Sequence, residues 1–174
     1  MKLIAKYMKS RIKLHNCDLQ TIKTILKGDK YLSELLEINI PFNWSEFGAP
    51  IFQFSIDKIN ADIKNQKWLT YIPIHIESNT LIGSCGYKGM PDKNGIVEIA
   101  YEVVESYRNN GYATEIVSKL IKIAFDDPKV TAVQAHTLAK INASVKVLKK
   151  NNFLFIEELE DEEDGPIWKW MLEK

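Results

Sequence analysis

Residues 97–125 read VEIAYEVVESYRNNGYATEIVSKLIKIAF. The beginning of this stretch is strand-like, residues 108–111 form a short turn with one glycine, and apolar residues then recur at helical spacing. Such a junction leaves several backbone N–H groups unpaired at the helix start, with the positive end of the helix dipole behind them. The stretch therefore predicts a binding site for an anion such as a phosphate.

Arg108 lies in this turn and strengthens the prediction of an anion site. The chain contains only two arginines, Arg11 and Arg108, and lysine supplies nearly all its other positive charge. A guanidinium can bind two phosphate oxygens at once, which an ammonium cannot do. The turn has neither the Gly-Lys-Ser/Thr ending of a Walker loop nor the three spaced glycines of a dinucleotide fingerprint. A nucleotide-binding regulatory domain therefore remains only an alternative.

The composition indicates one domain that spans residues 1–174, which is long enough to bury a core. The 23 basic and 23 acidic residues balance, so we expect no nucleic-acid partner and no basic membrane anchor. No apolar run approaches the ~20 residues needed to span a bilayer. The two cysteines show neither CxxC spacing nor a disulfide-rich pattern, which suits a reducing compartment. These features predict a soluble, cytoplasmic protein.

The apolar pattern predicts a strand-rich first half and alternating strands and helices in the second. This order indicates an α/β (α+β) fold, with a mixed sheet and helices on both faces. The expected strands cover residues 11–15, 68–76, 81–87, 97–104, 130–138, 153–157 and 167–172, and the expected helices follow Asp18 and cover residues 32–38, 54–63, 113–124 and 142–150.

Three stretches carry a family resemblance. Residues 98–103 read EIAYEV, residues 107–115 read YRNNGYATE and residues 142–153 read NASVKVLKKNNF. In order and spacing, from about residue 10 to the end, the chain resembles the GNAT acetyltransferases, and among them the branch of ribosomal-protein N-terminal (alanine/serine) acetyltransferases. The resemblance implies a mostly antiparallel sheet of about six to seven strands with a splayed central pair. Asn109 and Asn152 depart from the family because glycine is frequent at both positions.

The resemblance implies acetyl-CoA as cosubstrate and no metal. Its pyrophosphate would be held by the turn and the helix start, and its pantetheine arm would pair with the fourth strand and an asparagine side chain. For an isolated Asn142, a role as helix-start residue is equally plausible. The implied binding residues are Arg108, Asn109, Asn110, Gly111, Tyr112, Ala113 and Thr114 for the pyrophosphate, and Tyr101, Val103 and Asn142 for the pantetheine arm.

The implied reaction is direct attack of an amine on a thioester, without an acyl-enzyme. Glu98 is the expected general base, although it could also be an ordinary exposed glutamate of a strand. The Val103 N–H would stabilise the oxyanion. Ser144 would protonate the thiolate, or would serve only in packing. His136 has no cluster of metal-binding residues near it in sequence and is interpreted as structural.

The acceptor is left open between a protein N-terminus and a small amine. The acidic run at residues 157–164 is either a solvated loop or a surface that recruits cationic amines. The aromatic residues Phe42, Trp44 and Phe47 form either an apolar wall for the acceptor or part of the core. A non-catalytic acyl-CoA-binding module is the alternative function, and the chain is expected to be a monomer or a homodimer.

Overall fold

The computed structural model describes residues 10–174. Along these residues one strand and three α-helices come first, four strands follow, and helices and strands then alternate before a final pair of strands. Residues 1–9 of the expected domain lie outside the described residues. The strands are β1 (Ile12–Asn16), β2 (Thr70–His75), β3 (Thr80–Leu81), β4 (Gly83–Tyr87), β5 (Ile96–Val103), β6 (Ala132–Leu138), β7 (Leu154–Asp161) and β8 (Gly165–Glu173). The helices are α1 (Leu19–Lys27), α2 (Asp29–Leu36), α3 (Ala49–Ala61), α4 (Tyr112–Phe125) and α5 (Ala143–Lys150).

The strands form one mixed sheet, in the order β1-β2-β4-β5-β6-β8-β7, with the short β3 paired to β2. Every pairing is antiparallel except that of β5 with β6. The expected mostly antiparallel sheet is confirmed. The sheet has eight strands rather than about seven, because the run expected at residues 81–87 is divided into β3 and β4.

The parallel pair β5–β6 separates soon after it begins. Residues Ile96, Val97 and Glu98 pair with β6, whereas β5 continues to pair with β4 as far as Val103. Strand β6 likewise continues to pair with β8 as far as Leu138. The two central strands therefore diverge towards their carboxyl ends and open a gap in the sheet, which confirms the expected splayed pair.

Helices cover both faces of the sheet, as expected. One buried cluster joins α4 and α5 to the sheet through residues such as Ile116, Leu120 and Leu148. A second buried cluster joins α1, α2 and α3 to the other face through residues such as Ile22 and Phe52. None of the helices in residues 10–174 combines the length and the apolar character needed to cross a membrane.

Helix α3 begins earlier than the sequence predicts. Pro50 lies in its first turn, where the missing N–H of proline costs no hydrogen bond. The helix ends at Ala61, and the side chain of the next residue, Asp62, accepts a hydrogen bond from Lys64 N at the start of a short 3₁₀ helix. The sequence pattern missed this start because Gly48 and Pro50 resemble loop residues.

The acidic run at residues 157–164 is only partly a loop. Its first residues belong to β7, which pairs with β8 along its whole length. Lys169 Nζ lies 3.2 Å from Glu157 Oε1, and Trp168 Nε1 donates to Glu158 Oε2 at 2.8 Å. These partners on β8 allow the carboxylates to lie along an exposed edge strand rather than in a connecting loop.

Candidate active site

Helix α4 begins at the turn that the sequence predicts as an anion site. Gly111 precedes the helix with φ 80°, and no side chain of the described residues caps its N-terminus. The N–H groups of Tyr112, Ala113 and Thr114 therefore have no partner within the helix. Asn109 has φ 62°, a left-handed conformation that asparagine tolerates better than most residues.

The second asparagine that replaces a glycine of the family behaves in the same way. Asn152 has φ 64° and follows the end of α5. Both substitutions therefore keep the backbone conformation for which glycine is usually required.

Arg11 lies beside the turn, which the sequence analysis did not foresee. Its Nη1 donates to Asn110 O at 3.0 Å, and its guanidinium carbon lies 4.4 Å from the centre of the Tyr112 ring. Glu115 on α4 holds the arginine, because its carboxylate accepts hydrogen bonds from Arg11 Nε at 3.1 Å and Arg11 N at 2.9 Å. The rarity of arginine was the only sequence signal that singled out Arg11. Its closeness to the turn results from the packing of β1 against α4.

The Arg108 side chain points away from the turn in which the residue lies. Its Nε donates to Val103 O at 2.8 Å, and its Nη2 forms an ion pair with Glu46 in the loop before α3. The side chain thus links the end of β5 to that loop. A pyrophosphate contact from Arg108 would require this side chain to turn, and its binding role stays a prediction.

The main chain of β5 turns groups that have no strand partner towards the gap in the sheet. Lys88 N donates to Glu98 O at 2.9 Å, and Val104 N donates to Ile82 O at 2.9 Å. Because hydrogen bonding alternates along an antiparallel pair, the main-chain groups of Tyr101 and Val103 face β6 instead. Since the pairing of β5 with β6 ends at Glu98, these groups have no strand partner.

Glu98 lies where the two central strands begin to separate, within a group of charged and polar side chains. Its carboxylate is 2.5 Å from Lys88 Nζ and 3.0 Å from His136 Nδ1, and it accepts a hydrogen bond from Gln134 at 3.0 Å. Burial raises the pKa of Glu98, but the hydrogen bonds and charges of Lys88 and His136 outweigh it, so the pKa lies below its usual value. Glu98 is therefore held as a carboxylate.

His136 was interpreted as a structural residue, and the structure brings it to the candidate base. The two residues share a face because Glu98 pairs with Gln134, and His136 follows two positions later on the same side of β6. An imidazole beside a carboxylate is a frequent arrangement for moving protons near neutral pH. The register of the parallel pair, which no periodicity reveals, produces this contact.

The start of α5 faces Tyr101 of β5. Asn142 caps the helix, because its Oδ1 accepts from Val145 N at 3.0 Å. The half-buried Ser144 accepts a hydrogen bond on its carbonyl oxygen from the Tyr101 hydroxyl at 3.4 Å. Burial raises the pKa of Tyr101 to about 12, so this phenol remains protonated and can donate. The structure thus shows the helix-start role of Asn142, and its pantetheine contact stays a prediction.

The two cysteines are free and buried. Burial raises the pKa of both Cys17 and Cys85 well above the usual range of a thiol. A nucleophilic cysteine needs a thiolate, so neither side chain is prepared for acyl transfer. Within residues 10–174, no three His, Cys, Asp or Glu side chains are grouped to hold a metal ion.

Glu102 lies on the same face of β5 as Glu98 but has different neighbours. Its carboxylate holds the loop before α3 against the sheet. The donors are Ser45 Oγ at 2.7 Å, Glu46 N at 2.7 Å, Phe47 N at 3.3 Å and Ser84 Oγ at 2.5 Å.

The three aromatic residues of this loop have separate places. Trp44 is buried in the core and donates from Nε1 to Asp29 Oδ1 at 2.9 Å, so it cannot form a wall for an acceptor. Phe47 lines a cavity of about 520 Å³ between α3 and the sheet. Phe42 is largely exposed and lines a second, more polar cavity of about 400 Å³ near Arg108.

Comparisons with known proteins agree with this geometry. The family model described as an acetyltransferase (GNAT) domain matches residues 52–154. The uncharacterised N-acetyltransferase YjdG of Bacillus subtilis (strain 168) is 26% identical over 149 residues, which are 83% of this chain and 87% of that protein.

Two solved structures show the same fold at low sequence identity. Ribosomal-protein-S5-alanine acetyltransferase from Vibrio fischeri has a TM-score of 0.69 and 12% identity, over 96% of this chain and 95% of that one. The dodecameric spermidine N-acetyltransferase from Vibrio cholerae has a TM-score of 0.66 and 14% identity, over 95% of each chain.

Proposed function

Because the chain belongs to the GNAT acetyltransferase family, we propose that it moves an acetyl group from acetyl-CoA to a primary amine within a ternary complex. The curated N-acetyltransferase relative and the family match make the protein an acyltransferase. One observation supports the proposed donor above all. Helix α4 starts without a side-chain cap, and it follows β5, whose carboxyl end has no strand partner on the β6 side.

The residues at this gap fit acetyl-CoA. The N–H groups at residues 112–114 and the positive helix end would hold the pyrophosphate, and Arg11 adds positive charge beside them. The main-chain groups of Tyr101 would pair with the amides of the pantetheine arm, and Val103 O would join them once Arg108 Nε leaves it. Asn142 retains its side-chain N–H₂ for the same arm, because only its oxygen serves as the helix cap.

The bound thioester supplies an acyl carbon to which the amine nitrogen forms its new bond while the C–S bond breaks. Glu98 takes the amine proton, directly or through water, and His136 beside it shares the added proton. The Val103 N–H stabilises the negative charge that develops on the carbonyl oxygen. Ser144 returns a proton to the departing sulfur, and the protonated Tyr101 hydroxyl lies against the same residue.

A non-catalytic acyl-CoA-binding module remains the second candidate function. The observation in its favour is the short ion pair between Glu98 and Lys88, which makes the carboxylate a weak base. Under this alternative the turn and the β5 main chain bind the donor, but no proton is moved. Turnover with any amine distinguishes the two functions.

The acceptor is a protein N-terminus or a small amine. The relatives support both, since one similar structure is a ribosomal-protein-S5-alanine acetyltransferase and another a spermidine acetyltransferase. A cytoplasmic location and a monomeric or homodimeric state stay predictions, as does the absence of a nucleic-acid or membrane partner. Size-exclusion chromatography with light scattering tests the oligomeric state.

Calorimetric titration of acetyl-CoA into three proteins tests the proposed donor site. The Thr114→Asp variant places a negative charge in the first turn of α4, which favours the helix but repels a pyrophosphate. We expect its affinity for acetyl-CoA to fall by about tenfold or more. The control is Ser118→Asp, one turn further along the same helix and exposed, which should bind like the wild type. A folded wild type that binds no acetyl-CoA would refute the proposed function.

A further inference from the structure

An apolar cavity lies between α3 and the strands β4 and β5. Its volume of about 520 Å³ falls within the range of small-ligand sites, roughly 300–1,000 Å³. Phe47 and Phe54, which are 44% and 43% exposed, line it from the side of α3. Aromatic rings that stay partly in water around a cavity indicate a surface that an apolar group of a ligand can cover.

The cavity offers no place for a second positive charge. Lys88 is the only charged side chain among the described residues that line it, and it is itself a cation. The polar side chains are already paired: the hydroxyls of Ser55 and Thr70 are 2.9 Å apart, and Ser84 Oγ donates to Glu102. A polyamine would lose the hydration of its ammonium groups here without gaining a carboxylate partner.

The position of the cavity relates it to the acceptor. Ala100 lines the cavity and lies between Glu98 and Glu102 on the same face of β5. Its neighbour Tyr101 turns its main chain to the gap between β5 and β6. Lys88, which also lines the cavity, is paired with Glu98. The cavity therefore adjoins both the expected donor site and the candidate base.

From this arrangement we propose that the acceptor is a primary amine with a bulky apolar arm. The arm occupies the cavity between Phe47 and Phe54, and the amine nitrogen lies at its Glu98 end. This inference rests on the proposed function and narrows it. Both a free arylalkylamine and a polypeptide whose first residue is large and apolar have this chemistry, and polyamines do not.

A panel of acceptors tests the inference, with the release of coenzyme A thiol as the measurement. The panel contains 2-phenylethylamine with ethylamine as its short match, a peptide that begins with phenylalanine with its glycine-first match, and spermidine. We expect kcat/KM for at least one apolar amine to exceed that of its match by about tenfold or more. The kcat/KM for spermidine should not exceed that for ethylamine. Whichever pair shows the preference identifies the source of the amine.

Two variants locate the preference in the cavity. Phe54→Ala shortens a partly exposed side chain in the cavity wall. It should bring the ratio of kcat/KM between each apolar amine and its match close to one. Tyr31→Ala removes an aromatic ring that is 55% exposed on α2, outside the cavity, and should leave the ratio unchanged. Both variants should bind acetyl-CoA like the wild type in calorimetry.

The opposing outcomes separate this inference from the proposed function. Turnover that favours spermidine, or that shows no preference for an apolar arm, overturns the inference and leaves the acetyltransferase activity intact. A preference for octanoyl-CoA over acetyl-CoA with ethylamine would mean that the donor's acyl chain fills the cavity, which also overturns it. If no amine in the panel is acetylated, the proposed function and the inference fail together.

Discussion

Glu98 and Glu102 lie on one face of the same strand, yet their surroundings differ in kind. Glu98 contacts Lys88 and His136, groups that carry or can carry a positive charge. Glu102 accepts hydrogen bonds only from hydroxyls and backbone N–H groups of the described residues. A carboxylate beside side chains that can gain or lose a proton is suited to moving a proton. A carboxylate surrounded by hydroxyls and backbone N–H groups is suited to holding a loop.

The comparison shows that two glutamates four positions apart on one strand differ in role because different residues surround each of them. Glu98 faces β6, through a register that brings Gln134 and His136 beside it. Glu102 lies beyond the point where β6 diverges, so the loop before α3 reaches it instead. The splay of the sheet thus divides one face of β5 into a proton-handling end at Glu98 and a loop-anchoring end at Glu102.

Replacement of Glu98 gives the largest expected effect. In Glu98→Gln the side chain keeps its size but cannot accept a proton, so we expect kcat to fall by about 100-fold or more with any accepted amine. Acetyl-CoA affinity should stay unchanged, because the proposed donor contacts are made by the start of α4 and the main chain of Tyr101 rather than by the Glu98 carboxylate. Steady-state kinetics and calorimetry measure the two quantities. Turnover within threefold of the wild type would remove Glu98 as the base.

Replacement of Glu102 should act on structure and acceptor binding rather than on chemistry. Glu102→Gln loses the charge that several donors share, and we expect the free energy of unfolding to fall by about 2 kcal/mol. The loop that carries Phe47 should loosen, so the acceptor KM should rise more than kcat falls. Urea unfolding and kinetics test this. Equal losses of kcat in Glu102→Gln and Glu98→Gln would abolish the distinction between the two carboxylates.

Most of the elements and the turn of the expected donor site follow from local sequence signals. Alternation predicts the strands, and the turn before Tyr112 is visible because glycine and asparagine there permit positive φ. The resemblance adds the mostly antiparallel sheet and its splayed pair. The strands and the turn depend on residues that are close together along the chain.

Contacts between distant residues could not be foreseen from the sequence. Arg11 reaches Asn110 only because β1 packs beside α4, and His136 reaches Glu98 only through the register of a parallel pair. Arg108 was expected at the pyrophosphate, but its side chain pairs with Glu46, which is distant in the chain. Periodicity assigns residues to faces, and it contains no information about which faces meet.

Acid titration separates the proton-handling end from the rest of the protein. The pKa of Glu98 is lowered on folding, so its ion pairs stabilise the protein above the unfolded value of about 4.3 and are lost as the pH falls through the folded value. Wild-type stability should therefore decline more steeply below about pH 5 than that of Glu98→Gln. The difference in slope cannot exceed about 1.4 kcal/mol per pH unit, the limit for one proton. If urea unfolding gave parallel curves of stability against pH for the two proteins, the lowered pKa of Glu98 would be contradicted.

Removal of Lys88 gives the smallest change in stability and the most direct test of the charges around Glu98. The Lys88 side chain is 59% exposed, so Lys88→Gln should cost less than about 1 kcal/mol of unfolding free energy. The same change removes the strongest influence that lowers the pKa of Glu98, so this pKa should rise. We therefore expect the acid limb of the pH–rate profile to move to higher pH. Lys67→Gln removes the ion pair with Asp127 but none of the charges that shift the pKa of Glu98, so it should leave that limb in place. An acid limb that stays in place in Lys88→Gln would mean that a group other than Glu98 sets it.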